Sequence, residues 1–254
     1  MILHTDVSGE GEPVVFLHTG LQTGETELEI QKEYFNQDNL VILPDLRGHG
    51  KSVAEDFTDY FAQTAVDLSE TLDDLKIQSA HITGCSLGGL AALMFAKEYP
   101  EKTKSLTLSG IMAEKPSNWE ELNRFDAENV EKMLEHPDTA AYFDRLHEGN
   151  WRELLRLTQE GSWYPFDETA DLSMLDMPVL YIVGEQNIHE VRGTITYPKM
   201  NPNIHVATIP FAGHAVHLDQ PEIYNKILET LLSKVKVGVG NDAMLEESLN
   251  DGEQ

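Results

Sequence analysis

Apolar residues follow two alternating rhythms along the chain. In six short runs, at 13–18, 40–45, 80–84, 105–109, 178–184 and 204–210, apolar and β-branched residues are nearly continuous. Runs of this length, bounded by Gly, Pro or polar turns, predict strands covered on both faces, as in a parallel sheet. Between them the spacing becomes helical. Phe61, Ala65, Leu68, Leu72 and Leu75 share one face of a helix over 60–75, and 87–99 is small and apolar almost all round, which predicts a buried helix. A last helix is expected over 223–235, with Pro221 suited to its start. Strand and helix in alternation predict an α/β fold with a mostly parallel sheet.

The rhythm breaks at 111–175. This stretch offers no convincing strand, is rich in Glu, reads as several short helices and holds all three tryptophans, Trp119, Trp151 and Trp163. It predicts a helical lid inserted over the C-terminal edge of the sheet, where α/β sheets place their ligands. The tryptophans would line the pocket or form the lid's own core. Residues 1–110 and 176–237 then form the α/β core, and 238–254 is a polar, acidic tail expected to be disordered.

Composition narrows the function classes. With 254 residues, 41% hydrophobic and 24% charged, the chain can bury one large core. No apolar run approaches the roughly 18 residues needed to span a bilayer, and Met-Ile-Leu-His-Thr-Asp at the start has none of the features of a secretory signal. A cytoplasmic protein is expected. The single cysteine, Cys85, excludes an internal disulfide and a multi-cysteine metal site, and no His/Glu spacing resembles a zinc helix, so no cofactor is expected. A formal net charge of −26 repels nucleic acid and anionic lipid and favours neutral or cationic small molecules.

The chemistry centres on Gly84-Cys85-Ser86-Leu87-Gly88, where a strand meets a helix with almost no linker. So sharp a turn strains the serine backbone and leaves no room for side chains at the flanking glycines. It holds the Ser86 hydroxyl clear of the backbone at a helix N-terminus, where the Leu87 amide can face a developing oxyanion. Cys85 beside it reads as a small buried filler.

Four segments in order resemble the lid-bearing α/β-hydrolase family: Phe16-Leu17-His18-Thr19-Gly20-Leu21, the turn 43–52, the serine turn with its helix, and the loop 210–221 containing His214. The resemblance spans most of residues 2–235. It implies the α/β-hydrolase fold, Ser86 as nucleophile and His214 as general base, with His217 a rival three residues on. His18 and His49 would shape loops. The second oxyanion donor would be Leu21 if Thr19 is an insertion in the family's His-Gly, and Gly20 if Thr19 replaces the glycine; Leu21 is favoured. A serine argues against the family's dehalogenases and epoxide hydrolases, which carry aspartate at this position.

The acid departs from the family pattern. Asn187 occupies its usual position, in Gly184-Glu185-Gln186-Asn187. An asparagine can orient an imidazole but cannot stabilise imidazolium. Glu185 or Glu190 could reach His214 through a small loop shift, with Glu185 favoured; Glu114 could supply the acid from the preceding strand; or the relay is incomplete. The first two readings make a serine hydrolase acting on a small neutral ester or related acyl group. The third makes a slow enzyme, or a ligand-binding or signalling protein on the same scaffold.

Two further signals are set aside. Gly50-Lys51-Ser52 lacks the first glycine of a phosphate loop, whose place Asp45 takes. The pairs Glu135/His136 and His147/Glu148 read as solvated lid surface.

Overall fold

A computed structural model describes the chain to residue 250, with side chains to residue 236; the tail expected over 238–254 lies outside the fully described residues. In chain order the elements are β1 (Thr5–Ser8), β2 (Glu12–Leu17), α1 (Gly24–Glu27), α2 (Glu29–Phe35), β3 (Asn39–Pro44), α3 (Tyr60–Asp74), β4 (Ala80–Cys85), α4 (Leu87–Glu98) and β5 (Thr103–Ser109). Then come α5 (Trp119–Leu134), α6 (Pro137–Leu146), α7 (Trp151–Thr158), α8 (Phe166–Thr169), β6 (Val179–Gly184), α9 (Ile188–Val191), α10 (Gly193–Met200), β7 (Ile204–Ile209), α11 (Val216–Asp219) and α12 (Pro221–Asn250).

The strands form one sheet in the order β1-β3-β2-β4-β5-β6-β7. Only β1 runs antiparallel, against β3. All six expected strands are present. β1 was missed because it is a polar edge strand, paired on one side only, and so lacks the apolar run of a central strand.

Alternate residues of each strand enter opposite layers, which is why the runs read as continuously apolar. Val15, Leu17, Ile42 and Ile82 pack with Leu68 and Leu72 of α3 and with Leu90 and Leu93 of α4. Val14, Phe16, Val41 and Ile182 pack on the other side with Phe35 of α2 and with Tyr224, Leu228 and Leu232 of α12. α4, covered by both α3 and the sheet, buries nine residues, as its unbroken apolar surface requires.

Register brings the strand ends level. Leu17 pairs with Gly84, Gly84 with Leu108, and Leu108 with Tyr181. The loops that follow β2, β4, β5 and β6 therefore leave the sheet along one edge. The segment between β5 and β6 holds four α-helices and, among the described residues, no strand. α5 buries only Trp119 within the protein, and much of the rest of its inner face borders the cavity described next.

Candidate active site

Ser86 sits between the last residue of β4 and the first of α4 with φ 55° and ψ −120°. A non-glycine residue in that region stores on the order of 1–3 kcal/mol, which the surroundings must hold in place. They do so by close approach. A Cβ on Gly84 would lie 2.1 Å from the Gly88 carbonyl oxygen, and one on Gly88 would lie 2.2 Å from that of Leu17. The Ser86 amide donates to the Ser109 carbonyl at 3.0 Å, tying the turn to β5. Leu87, in the first turn of α4, keeps an amide with no intrahelical acceptor.

His214 arrives on the loop after β7. Its Nδ1 lies 2.6 Å from Oε1 of Glu190, whose side chain is 2% exposed. Hydrogen bonding through Nδ1 leaves Nε2 as the free base. Burial alone would lower the pKa of His214. The hydrogen bond and charge of Glu190, joined by Asp126 and Glu27, outweigh it and raise the value. At Gly110 an added Cβ would meet both the Ser86 amide nitrogen, at 2.8 Å, and His214 Cε1, at 3.0 Å, so both residues crowd one point of the loop after β5.

The carboxylate beside His214 is Glu190, not the favoured Glu185. Glu185 is exposed, and its Oε1 accepts from the Phe211 amide at 2.9 Å. Glu114 accepts from the Thr196 hydroxyl at 3.1 Å and does not reach the imidazole either. The reason is helical. Asn187 is the N-cap of α9, its Oδ1 accepting from the His189 amide at 3.3 Å. One turn on, Glu190 comes back over the cap, and the Asn187 amide donates to Glu190 Oε1. The Tyr181 hydroxyl, 2.8 Å from the Glu190 carbonyl and 2.6 Å from that of Ile111, ties this turn to the neighbouring loop.

The loop after β2 is pinned along its length. His18 accepts from the Leu46 amide through Nε2 at 2.9 Å, so Nδ1 carries the proton and donates to the Thr19 carbonyl at 2.7 Å. Gly20 borders the cavity with Ser86 and Leu87. Leu21, favoured as the second oxyanion donor, is not among the lining residues; it adopts φ 64° and its carbonyl faces His147 Nε2 at 3.1 Å.

That contact corrects the reading of His147 as solvated surface. It is 4% exposed, accepts from the Gly50 amide at 2.8 Å, and has its ring edge-on to His49, 5.6 Å between centroids. His49 in turn stands edge-on to His18 at 5.0 Å. Burial holds all three imidazoles below their ordinary pKa. His217, the rival base, is buried against Glu27 instead. Cys85 is buried, and burial pushes its thiol up.

Ser86, Leu87, Glu190 and His214 open on one cavity of about 730 Å³. Trp119, Trp163, Tyr164 and Phe125 supply aromatic wall, Leu122 and Val130 aliphatic wall, and Asn123, Gln159 and Asp126 polar points. Among the described residues no Lys or Arg lines it. Trp151 instead packs on Phe143, away from the cavity. Among the described residues no group of three His, Cys, Asp or Glu side chains is placed to hold a metal ion, and no helix is long and apolar enough to cross a membrane.

The family model for the alpha/beta hydrolase fold matches residues 12–153, more than half of the chain. The chain belongs to the alpha/beta hydrolase family. It is similar over 88% of its length, at 26% identity, to a Bacillus subtilis (strain 168) protein provisionally named 2-succinyl-6-hydroxy-2,4-cyclohexadiene-1-carboxylate synthase, 91% of which is covered. It is 25% identical to serine hydrolase BPHL of Mus musculus, over 91% of this chain and 82% of that one. Among solved structures it resembles a thermophilic esterase from Thermogutta terrifontis, with a TM-score of 0.65, 25% identity, and 92% and 93% of the two chains covered. This alpha/beta hydrolase thus has hydrolases, an esterase among them, as its relatives.

Proposed function

We propose that this alpha/beta hydrolase is a serine hydrolase that cleaves a small neutral ester, or a related acyl substrate, through an acyl-enzyme. The observation that carries the reading is the hydrogen bond from His214 Nδ1 to buried Glu190, on the wall of the cavity that holds Ser86. Ser86 Oγ attacks the carbonyl while His214 Nε2 takes its proton, and Glu190 stabilises the imidazolium that forms. The Leu87 amide and an amide of the Gly20–Leu21 segment receive the oxyanion. The tetrahedral adduct collapses, His214 returns the proton to the leaving oxygen, and water then attacks the acyl-enzyme with His214 again as base.

A binding protein with an incomplete relay would rest on Asn187, and the contact of Glu190 with His214 favours the enzyme instead. The cavity's aromatic and aliphatic wall, with no cationic side chain among its lining residues to pair an anion, suits an acyl chain that is apolar or carries a positive charge, and a neutral ester is the simplest such substrate. The test is incubation with a fluorophosphonate followed by mass spectrometry of the peptide containing Ser86. Stoichiometric labelling at pH 7–8, lost in Ser86→Ala, is the expected result. Folded protein that stays unlabelled would sink the reading.

A further inference from the structure

Glu27 touches both loops that frame the site and belongs to neither. It ends α1, and its side chain is 2% exposed. Oε2 accepts from the Thr19 amide at 2.7 Å and from the Thr19 hydroxyl at 3.1 Å. Oε1 faces Nε2 of His217 at 2.9 Å. His217, also 2% exposed, stands on α11 three residues beyond His214, and Gln31 of α2 holds its carbonyl at 2.9 Å.

Burying a carboxylate costs several kcal/mol, and stability alone is often served as well by apolar side chains of similar volume. Glu27 spends its contacts on the two loops. Thr19 is the residue by which this chain departs from the family's His-Gly, and it precedes Gly20 on the cavity wall. With its amide and hydroxyl on Glu27 and its carbonyl on His18, Thr19 has no polar group left to move. Burial would push the Glu27 carboxyl up, but His217, His18 and the Thr19 amide hold it below the usual range, so it stays ionised to accept these bonds.

We infer that Glu27 is a positioning residue, clasping the Thr19–Leu21 loop to the His217 helix and so fixing the oxyanion amide of that loop relative to His214. The inference rests on the acyl-transfer reading above. A shift of the order of 1 Å between such groups costs about 100-fold in rate, and one lost oxyanion donor costs a similar amount.

The test is Glu27→Gln in the full chain, which keeps the shape but sets an amide where both loops need a carboxylate. With a p-nitrophenyl ester, kcat falls about 10- to 100-fold while KM changes by less than about threefold, the signature of an interaction realised in the transition state. Phosphonylation of Ser86 slows in proportion. Glu27→Asp, which keeps the charge on a shorter arm, recovers part of the loss. A lowered thermal midpoint with unchanged kcat, or a change confined to KM, overturns the inference. If Glu27→Gln does not fold, Thr19→Val and His217→Gln each loosen one arm of the clasp, and unchanged kcat in both overturns it equally. Wild-type protein that takes no label on Ser86 overturns the nucleophile and the clasp together; normal wild-type labelling with unimpaired Glu27→Gln overturns the clasp alone.

Discussion

Asn187 donates its side-chain amide to the same oxygen of Glu190 that faces His214 Nδ1. The residue in the family's acid position is thus not a failed acid. It caps the short helix that brings a carboxylate to the imidazole and then hydrogen-bonds that carboxylate in place.

The relationship separates three substitutions. Glu190→Gln removes the charge behind His214 and lowers kcat by about 10³- to 10⁴-fold, the cost of losing an orienting carboxylate in a serine triad. Glu185→Gln touches only an exposed hydrogen bond to Phe211 and leaves kcat within about twofold. Asn187→Asp replaces the amide that donates to Glu190 with a second carboxylate that repels it, which disturbs the carboxylate behind His214 and lowers kcat. Steady-state kinetics on a p-nitrophenyl ester order the three. Full activity in Glu190→Gln would remove Glu190 from the relay.

The pH–rate profile carries the same signature. In the proposed mechanism His214 acts as base only when neutral, and Glu190, with Asp126 and Glu27, raises its pKa against the opposing effect of burial. The rising limb of kcat/KM therefore lies above pH 6.5, the ordinary imidazole value. Glu190→Gln moves the limb downward, and Asp126→Asn moves it in the same direction by less. A limb that stays put in Glu190→Gln would show that another group sets it. The linkage to stability has the matching sign: this group contributes below its unfolded pKa, and the contribution disappears as pH rises through the folded value.

Much of this was legible in the sequence because it rests on local pattern. The central strands announced themselves because both of their faces are covered, and β1 stayed hidden because it is a polar, half-buried edge strand. Ser86 and His214 lie in segments whose residue order alone carries the geometry. The carboxylate beside His214 does not, because which glutamate meets the imidazole depends on where α9 begins. A local signal was nevertheless present: Asn187-Ile188-His189-Glu190 has the spacing of a helix cap and its third residue, which aims Glu190 back over the cap. His147 left no such trace. Its partners Leu21 and Gly50 lie about a hundred residues away in the chain, and nothing in its neighbourhood predicts burial.

Buried histidines make the fold sensitive to acid. His18, His49 and His147 are held below their ordinary pKa by burial, and His81, buried and close to Lys104, is held down to about 4. The folded state therefore binds fewer protons than the unfolded chain once pH drops below 6.5. Stability is full above that pH and falls as pH moves toward the folded values, by about 1.4 kcal/mol per pH unit for each histidine that must stay neutral. His18 and His147 accept backbone amide bonds through a bare ring nitrogen, so protonation also loosens the packing between the loop after β2 and the loop after β3. Urea midpoints should hold level from pH 7.5 to about pH 6.5 and then fall to pH 5.5, with a shallower fall in His81→Asn. Equal midpoints across that range would contradict the assignment of neutral rings.

Charge on the substrate should matter among esters of matched size. The cavity is lined by Asp126 and Glu190 but by no Lys or Arg, and Asp126 has no ion-pair or hydrogen-bond partner among the described residues. Burial pushes the Asp126 carboxyl up and His214 pulls it back. With Trp119, Trp163 and Tyr164 on the same walls, a substrate cation would meet both a carboxylate and aromatic faces, a combination worth about 1 kcal/mol, or roughly fivefold. Three p-nitrophenyl esters of matched length, ending in trimethylammonium, tert-butyl and carboxylate, isolate the effect. Expected kcat/KM falls in that order, and 0.5 M salt compresses the range, since half-exposed charges are screened within about 4–5 Å at that ionic strength. Asp126→Asn removes most of the preference for the cation over the neutral ester while leaving the neutral rate near wild type. A preference that survives Asp126→Asn would place the discrimination in the protein's overall field of −26 instead of in the cavity wall.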